Sequence, residues 1–237
     1  MRSLCGNLGM VKWYPAVSVL TLCACTPAVT PPVLCAKAGA GAPAYRILVV
    51  GESWAAGGRL LPELPQAVAK RANATVLACS VGYSGMNTAK IISSYAPDPP
   101  LRALGGRPTN VVILSGVNDQ IQHRGAENFA SGMRTLAARF TPAIVQTVSA
   151  PSINTHPPLG LPYRFKNWAY GIVHPEGNAE YRKDAASVFR PEQVIDYSAF
   201  SSGAIAEPGR YAPDGIHLTL PEFHKYGTFV GDKIQLR

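Results

Sequence analysis

A single α/β domain built on a mainly parallel sheet is the fold class this sequence predicts, and three observations predict it. Apolar runs alternate with amphipathic segments from Tyr45 onward, the pattern of repeated βα units. The first run, Tyr45-Arg46-Ile47-Leu48-Val49-Val50, is nearly continuous in its apolar character, as a strand buried on both faces must be. About 200 residues follow the leader, enough for one well-buried core and too few for two. Five strands are expected, near 45–50, 75–80, 110–114, 143–149 and 193–196. Helices fill the gaps: Glu63 to Arg71, Met86 to Tyr95, Glu127 to Phe140 and Ala179 to Phe189. Thr219-Leu220-Pro221-Glu222 reads as a capping box, with Thr219 as N-cap and Glu222 at N3, opening a last helix that runs to about Ile234. No internal repeat or interior linker breaks this order.

The chain divides into an export signal and leader over 1–38, a flexible tether over 39–44 and the folded domain over 45–237. Residues 16–25 form an apolar run behind Lys12, too short to span a bilayer and suited to the core of an export signal. Met10 is an alternative start. Leu22-Cys23-Ala24-Cys25 resembles a bacterial lipobox, which would acylate Cys25. Ala36-Lys37-Ala38 instead fits small-x-small cleavage before Gly39, and this soluble outcome is the preferred one. Pro27 to Pro43, rich in Pro, Ala and Gly, then reads as a tether without a core.

The formal charge is +8, and +6 over residues 36–237, because Arg2 and Lys12 lie in the leader and no acid precedes Glu52. The bases are scattered singly or in pairs, which gives nucleic-acid binding little support. Of five cysteines, Cys5, Cys23, Cys25 and Cys35 fall in the leader and Cys79 in the body. The folded domain is therefore expected to form no internal disulfide and no cysteine-based metal site, with Cys79 a buried core residue.

The chemistry-bearing residues cluster where the chain leaves successive strands, which is where open α/β sheets hold their reactive groups. Gly51-Glu52-Ser53 ends the first strand; taken alone, its serine reads as a cap for the following helix rather than as a nucleophile. Ser80-Val81-Gly82-Tyr83-Ser84-Gly85-Met86-Asn87 follows the second and opens a helix, exposing unpaired backbone N–H groups suited to an anionic oxygen. Leu114-Ser115-Gly116-Val117-Asn118-Asp119 follows the third, and Asn118 offers a side-chain amide donor. Before the last helix stands Asp214-Gly215-Ile216-His217. A carboxylate three residues ahead of an imidazole can accept its ring N–H and leave the other nitrogen free to take a serine proton. Ala55 replaces the second glycine of a Gly-x-Ser-x-Gly elbow, so that motif is absent.

Gly51-Glu52-Ser53, Gly85, Gly116-Val117-Asn118-Asp119 and Asp214-Gly215-Ile216-His217 resemble the four sequence blocks of the SGNH (GDSL-like) hydrolases. The blocks stand in the family's order, with 32 residues from Ser53 to Gly85 and 33 from Gly85 to Asn118. The resemblance spans residues 45 to about 235. It departs at Glu52, where the family usually has Asp, a change expected to touch loop hydrogen bonding more than chemistry. Gly82 competes with Gly85 as the second-block glycine, and Gly85 is preferred because Ser-Gly precedes a helix. The resemblance implies a three-layer α/β/α, flavodoxin-like sandwich on a five-stranded sheet, and acyl-ester hydrolysis with no cofactor and no metal. Ser53 would be the nucleophile, His217 the general base and then acid, and Asp214 its orienter. Ser53 N–H, Gly85 N–H and the Asn118 side chain would form the oxyanion hole.

His123, His156, His174 and His224 lack a carboxylate at an orienting spacing, although His224 follows Glu222 in one helix, and they read as structural or surface residues. Asp119 reads as a loop anchor. The aromatic and basic stretch Tyr163-Arg164-Phe165-Lys166-Asn167-Trp168 is either a self-packed loop or a substrate wall. The expected function is an exported (periplasmic or secreted) monomeric esterase acting on a carbohydrate or small-molecule ester, with short acyl groups preferred and membrane contact only through Cys25. Acyl transfer on the same site and a catalytically silent glycan-binding module are the competing readings.

Overall fold

The computed structural model of the protein describes residues 30–122, 124–149, 183, 187–201, 209–214 and 216–236. In chain order the strands are β1 (Leu34–Ala38), β2 (Tyr45–Gly51), β3 (Val76–Gly82), β4 (Asn110–Leu114), β5 (Ile144–Val148) and β6 (Val194–Ile195). The helices are α1 (Leu64–Ala72), α2 (Thr88–Ser94), α3 (Asp98–Leu104), α4 (Val117–Ile121), α5 (Ala126–Ala138), α6 (Ser198–Ser201) and α7 (Leu220–Lys233). The sheet runs β1-β3-β2-β4-β5-β6, with every pairing parallel except β1 against β3.

Side-chain alternation along the central strands divides the interior into two cores. Ile47 and Val49 of β2, with Val112 and Leu114 of β4, face a core closed by Leu64 and Val68 of α1 and Phe223, Tyr226 and Val230 of α7. Leu48, Val50, Val111 and Ile113 face the opposite core, closed by Ile91 of α2, Leu104 of α3 and Phe129, Met133 and Leu136 of α5. Each fully buried aliphatic side chain contributes roughly 1.5–3 kcal/mol, so this three-layer arrangement is what the continuous apolar strands require. The Arg71 guanidinium bonds the carbonyls of Asp232 and Ile234, tying the end of α1 to the end of α7.

The sheet has six strands among the described residues, one more than expected, and the addition lies in the supposed leader. Leu34–Ala38 pairs antiparallel with β3, Cys35 opposite Cys79, and the two cysteines are joined in a disulfide. The expectation that the domain contains no internal disulfide is therefore corrected. Cys79 is buried as expected, but as half of a cross-link. The strand was hidden because its short apolar run, Val33 to Ala36, falls within the stretch read as leader, and Leu34, Cys35 and Lys37 lie exposed on an outer edge rather than in a core.

A second correction concerns α7. Thr219 is its N-cap in an extended conformation, yet its side chain makes no cap bond. Glu222 is drawn elsewhere, accepting from Arg210 Nε at 2.7 Å and Lys225 Nζ at 2.6 Å. Three helices were also not anticipated, α3, α4 and α6. The expected helix over 179–189 and the stretch from Tyr163 to Trp168 lie almost wholly outside the described residues, as do His123, His156 and His174.

Candidate active site at the carboxyl rim of the sheet

Strand register brings three turns together. Gly51 at the end of β2 is aligned with Gly82 of β3 on one side and Leu114 of β4 on the other. A Cβ on Gly51 would stand 2.0 Å from the Leu114 carbonyl oxygen, and one on Gly82 would stand 2.1 Å from the Ala56 nitrogen. Both glycines are therefore demanded by close backbone passage where the chain leaves the sheet. Ser53, Gly85 and Asn118 follow within a few residues on the same rim.

Ser53 is held by its neighbour as much as by its turn. Trp54 is fully buried and makes edge contacts with Tyr197, Phe223 and Tyr226 at centroid distances of 5.7, 5.3 and 5.7 Å. Anchoring the indole in the α7-side core leaves the adjacent Ser53 half-buried at the surface. Its Oγ lies 2.7 Å from His217 Nε2.

His217 is aimed by a local turn. Its Nδ1 lies 2.6 Å from Asp214 Oδ2, while Asp214 Oδ1 accepts from the backbone N–H groups of Ile216 and His217 at 2.9 Å each. A short antiparallel bridge between Tyr211 and Leu218 closes this turn, with Ala212 N–H donating to the His217 carbonyl at 2.7 Å. Burial pushes the Asp214 carboxyl upward, but the bonds from the His217 ring and from the His217 and Ile216 amides outweigh it and bring the pKa down to about 2. The carboxylate is thus ionised throughout the neutral range, where it favours an Nδ1–H tautomer and leaves Nε2 to accept from Ser53.

The other side of the site is a network of buried carboxyls. Glu52 is 1% exposed, and its two oxygens accept from Val117 N–H at 3.0 Å and Asn118 N–H at 2.8 Å. Burial raises its pKa to about 8, with hydrogen bonds from Asn118 and Val117 opposing the rise and the Asp119 charge adding to it. Asp119 Oδ2 accepts from Thr88 N–H at 2.9 Å and Thr88 Oγ1 at 2.8 Å, and Thr88 Oγ1 lies 2.7 Å from Ser115 Oγ. Asp119 thereby anchors the turn after β4 to the start of α2; burial raises its carboxyl pKa.

Gly82 and Gly85 are separated by geometry. Gly82 is a packing glycine in the sheet, whereas Gly85 is exposed with φ 74° and nothing within 4 Å of a notional Cβ. Gln122 Nε2 donates to the Gly85 carbonyl at 2.8 Å and its Oε1 accepts from Asn87 Nδ2 at 2.7 Å. Asn118 Nδ2 donates to the Met86 carbonyl at 3.3 Å, so its amide reaches across to the Gly85 turn. Ser53, His217, Asp214, Asn118 and Gly85 are thus brought to one rim. His224 lies half-buried on α7. Glu52, Thr88 and Ser115 carry the network, and only the Glu-for-Asp departure at position 52 hinted at any of them. Among the described residues, no group of three or more His, Cys, Asp or Glu side chains could hold a metal ion, and no helix is long and apolar enough to cross a membrane.

No family model matches the chain, and no curated protein matches it by sequence. Solved structures do match it. A lipase/acylhydrolase from Enterococcus faecalis aligns with TM-score 0.59 at 15% identity, over 81% of this chain and 97% of its own. A lipolytic protein of the G-D-S-L family from Desulfitobacterium hafniense aligns with TM-score 0.51 at 12% identity, over 80% and 99%. A mutant of Axe2, an acetyl-xylooligosaccharide esterase from Geobacillus, aligns with TM-score 0.52 at 14% identity, over 82% and 96%. At such identities the likeness is one of fold: the chain has the α/β fold of GDSL-type (SGNH) hydrolase structures.

Proposed function

We propose that the protein is an exported serine ester hydrolase that removes short acyl groups, acetyl above all, from carbohydrate or similar small esters. One observation carries the hydrolase reading: Ser53 Oγ, both ring nitrogens of His217 and the Asp214 carboxylate form a continuous hydrogen-bonded line with steps of 2.7 and 2.6 Å. Ser53 Oγ attacks the ester carbonyl as His217 Nε2 takes its proton. His217 then protonates the departing alkoxide, leaving an acyl group on Ser53. Water, deprotonated by the same nitrogen, attacks that acyl group and releases the acid and free Ser53. Asp214 orients the imidazole and stabilises its charged form. The negative oxygen formed in each addition is met by Ser53 N–H, Gly85 N–H and the second N–H of the Asn118 amide.

The acyl preference rests on the expected export and on the basic and aromatic stretch from Tyr163 to Trp168, and the fold likeness to the acetyl-xylooligosaccharide esterase is in keeping with it. Export is supported by the Cys35–Cys79 disulfide, because such bonds persist in oxidising compartments. The disulfide and the five-residue pairing of β1 also argue that maturation retains Leu34–Ala38. Processing upstream of Leu34 fits this; cleavage before Gly39 would remove a strand and leave Cys79 unpaired. The deciding experiment is a panel of esters of graded acyl length, free and sugar-linked, assayed on the purified protein with Ser53→Ala as control. Fastest turnover on acetylated sugars that vanishes in Ser53→Ala is the expected result, and equal turnover in the variant would exclude Ser53 as nucleophile.

A further inference from the structure

We propose that Glu52 is a positioning residue whose buried carboxyl, by gripping the backbone N–H groups of Val117 and Asn118, fixes the Asn118 amide at the distance from Ser53 that the oxyanion requires. The proposal rests on the ester-hydrolase reading and goes beyond it, since Glu52 touches neither substrate nor the reacting atoms.

The geometry behind it is specific. Glu52 N–H donates to the Leu114 carbonyl at 2.9 Å, and its side chain reaches the first two amides of α4. One residue adjacent in the chain to the nucleophile is therefore bonded at three points to the segment bearing Asn118. The first amides of α4 have no partner within the helix and Gly116 supplies no side-chain cap, so the two carboxyl oxygens take that place. Holding both amides restrains the backbone at the start of α4, from which the Asn118 side chain projects. The Asn118 side chain then has its torsions limited by its bond to the Met86 carbonyl. Preorganised donors of this kind act because they need not reorient as charge develops.

Gln is the informative replacement, because it keeps the volume but its amide nitrogen cannot accept a hydrogen bond, whereas both carboxyl oxygens of Glu52 can whether or not one carries the proton. Its NH₂ would face either Val117 N–H or Asn118 N–H, donor against donor. Asp keeps both oxygens on a shorter arm. Turnover is expected in the order wild type, Glu52→Asp, Glu52→Gln, with Gln lowering kcat by about tenfold and KM changed less than about twofold, as loss of a transition-state donor requires. Hydrogen exchange of the Val117 and Asn118 amides, read by NMR on the intact protein, is expected to be slow in wild type and accelerated in Glu52→Gln. Melting curves report whether each variant folds. A lower melting temperature with kcat and KM unchanged would reduce Glu52 to a structural residue and overturn the proposal. Fast exchange of both amides in wild type would do the same. Absence of ester turnover in wild type, with both amides protected, would instead remove the hydrolase reading on which it rests.

Discussion

The two halves of the candidate site are built in opposite ways. The turns after β2, β3 and β4 are joined by bonds between residues far apart in sequence, from Glu52 to Asn118 and from Asp119 to Thr88, through carboxyls withdrawn from solvent. The turn that carries His217 is closed by its own atoms, with Asp214 bonding residues two and three positions on. The first half holds donors still and has little freedom; the second holds a group that must gain and lose a proton, and it stays half-exposed. Damage to the first should spread between loops, whereas damage to the second should stay local.

The largest effect tests whether the halves act as one. Ser53→Ala and His217→Ala are each expected to abolish ester hydrolysis with melting temperatures near wild type, and the double variant should be hardly slower than either single, because the groups work as a unit. Additive losses measured in kcat/KM would show that the two side chains act independently. Asn118→Ala comes next. Its amide is aimed at charge that exists only in the transition state, so kcat should fall roughly a hundredfold with KM little changed. A rise in KM alone would make Asn118 a substrate binder.

The two carboxyls also give opposite signatures against pH. Asp214 is held below its ordinary value, near 2, so its bonds stabilise the fold above about pH 4 and that contribution is lost as pH falls toward 2. Glu52 is raised from 4.5 to about 8, so the folded state keeps a proton that the unfolded chain releases. Its contribution therefore declines as pH rises from about 4.5 to 8, with a slope of at most about 1.4 kcal/mol per unit. Denaturant midpoints measured across this window should fall with pH in wild type and level out in Glu52→Gln. An unchanged slope in the variant would show that another group titrates there.

What was legible in the sequence follows the same division between local and distant. The central strands were readable because each is apolar enough to be buried on both faces, and their ends fell close to those expected. The Asp214–His217 turn was readable because its logic is contained in four residues. The grip of Glu52 was not, since its partners lie 65 and 66 positions away. Helix α3 was obscured by Pro99 and Pro100, which look like breakers but are tolerated in a first turn. Helix α4 was obscured by the glycine-bearing turn from which it springs. The capping box failed because Arg210 and Lys225 compete for Glu222 more strongly than a backbone amide does.

The smallest expected effect on turnover belongs to the sheet edge, where β1 is stapled to β3. Two strands bear on the outcome: β3 lies between β1 and β2, and β2 is the strand that leads to Ser53. The disulfide closes a loop of 44 residues, long enough that constraint of the unfolded chain contributes about 2–4 kcal/mol. Cys35→Ser removes the bond at its exposed end and creates no cavity. The denaturant midpoint should therefore drop while kcat and KM of the folded enzyme stay at wild-type values, because β3 keeps its parallel partner along its whole length. A fall in kcat matching the fall in stability would mean that the edge transmits strain to the Gly82 and Gly85 turn, and that the rigid half of the site extends one strand further than its hydrogen bonds indicate.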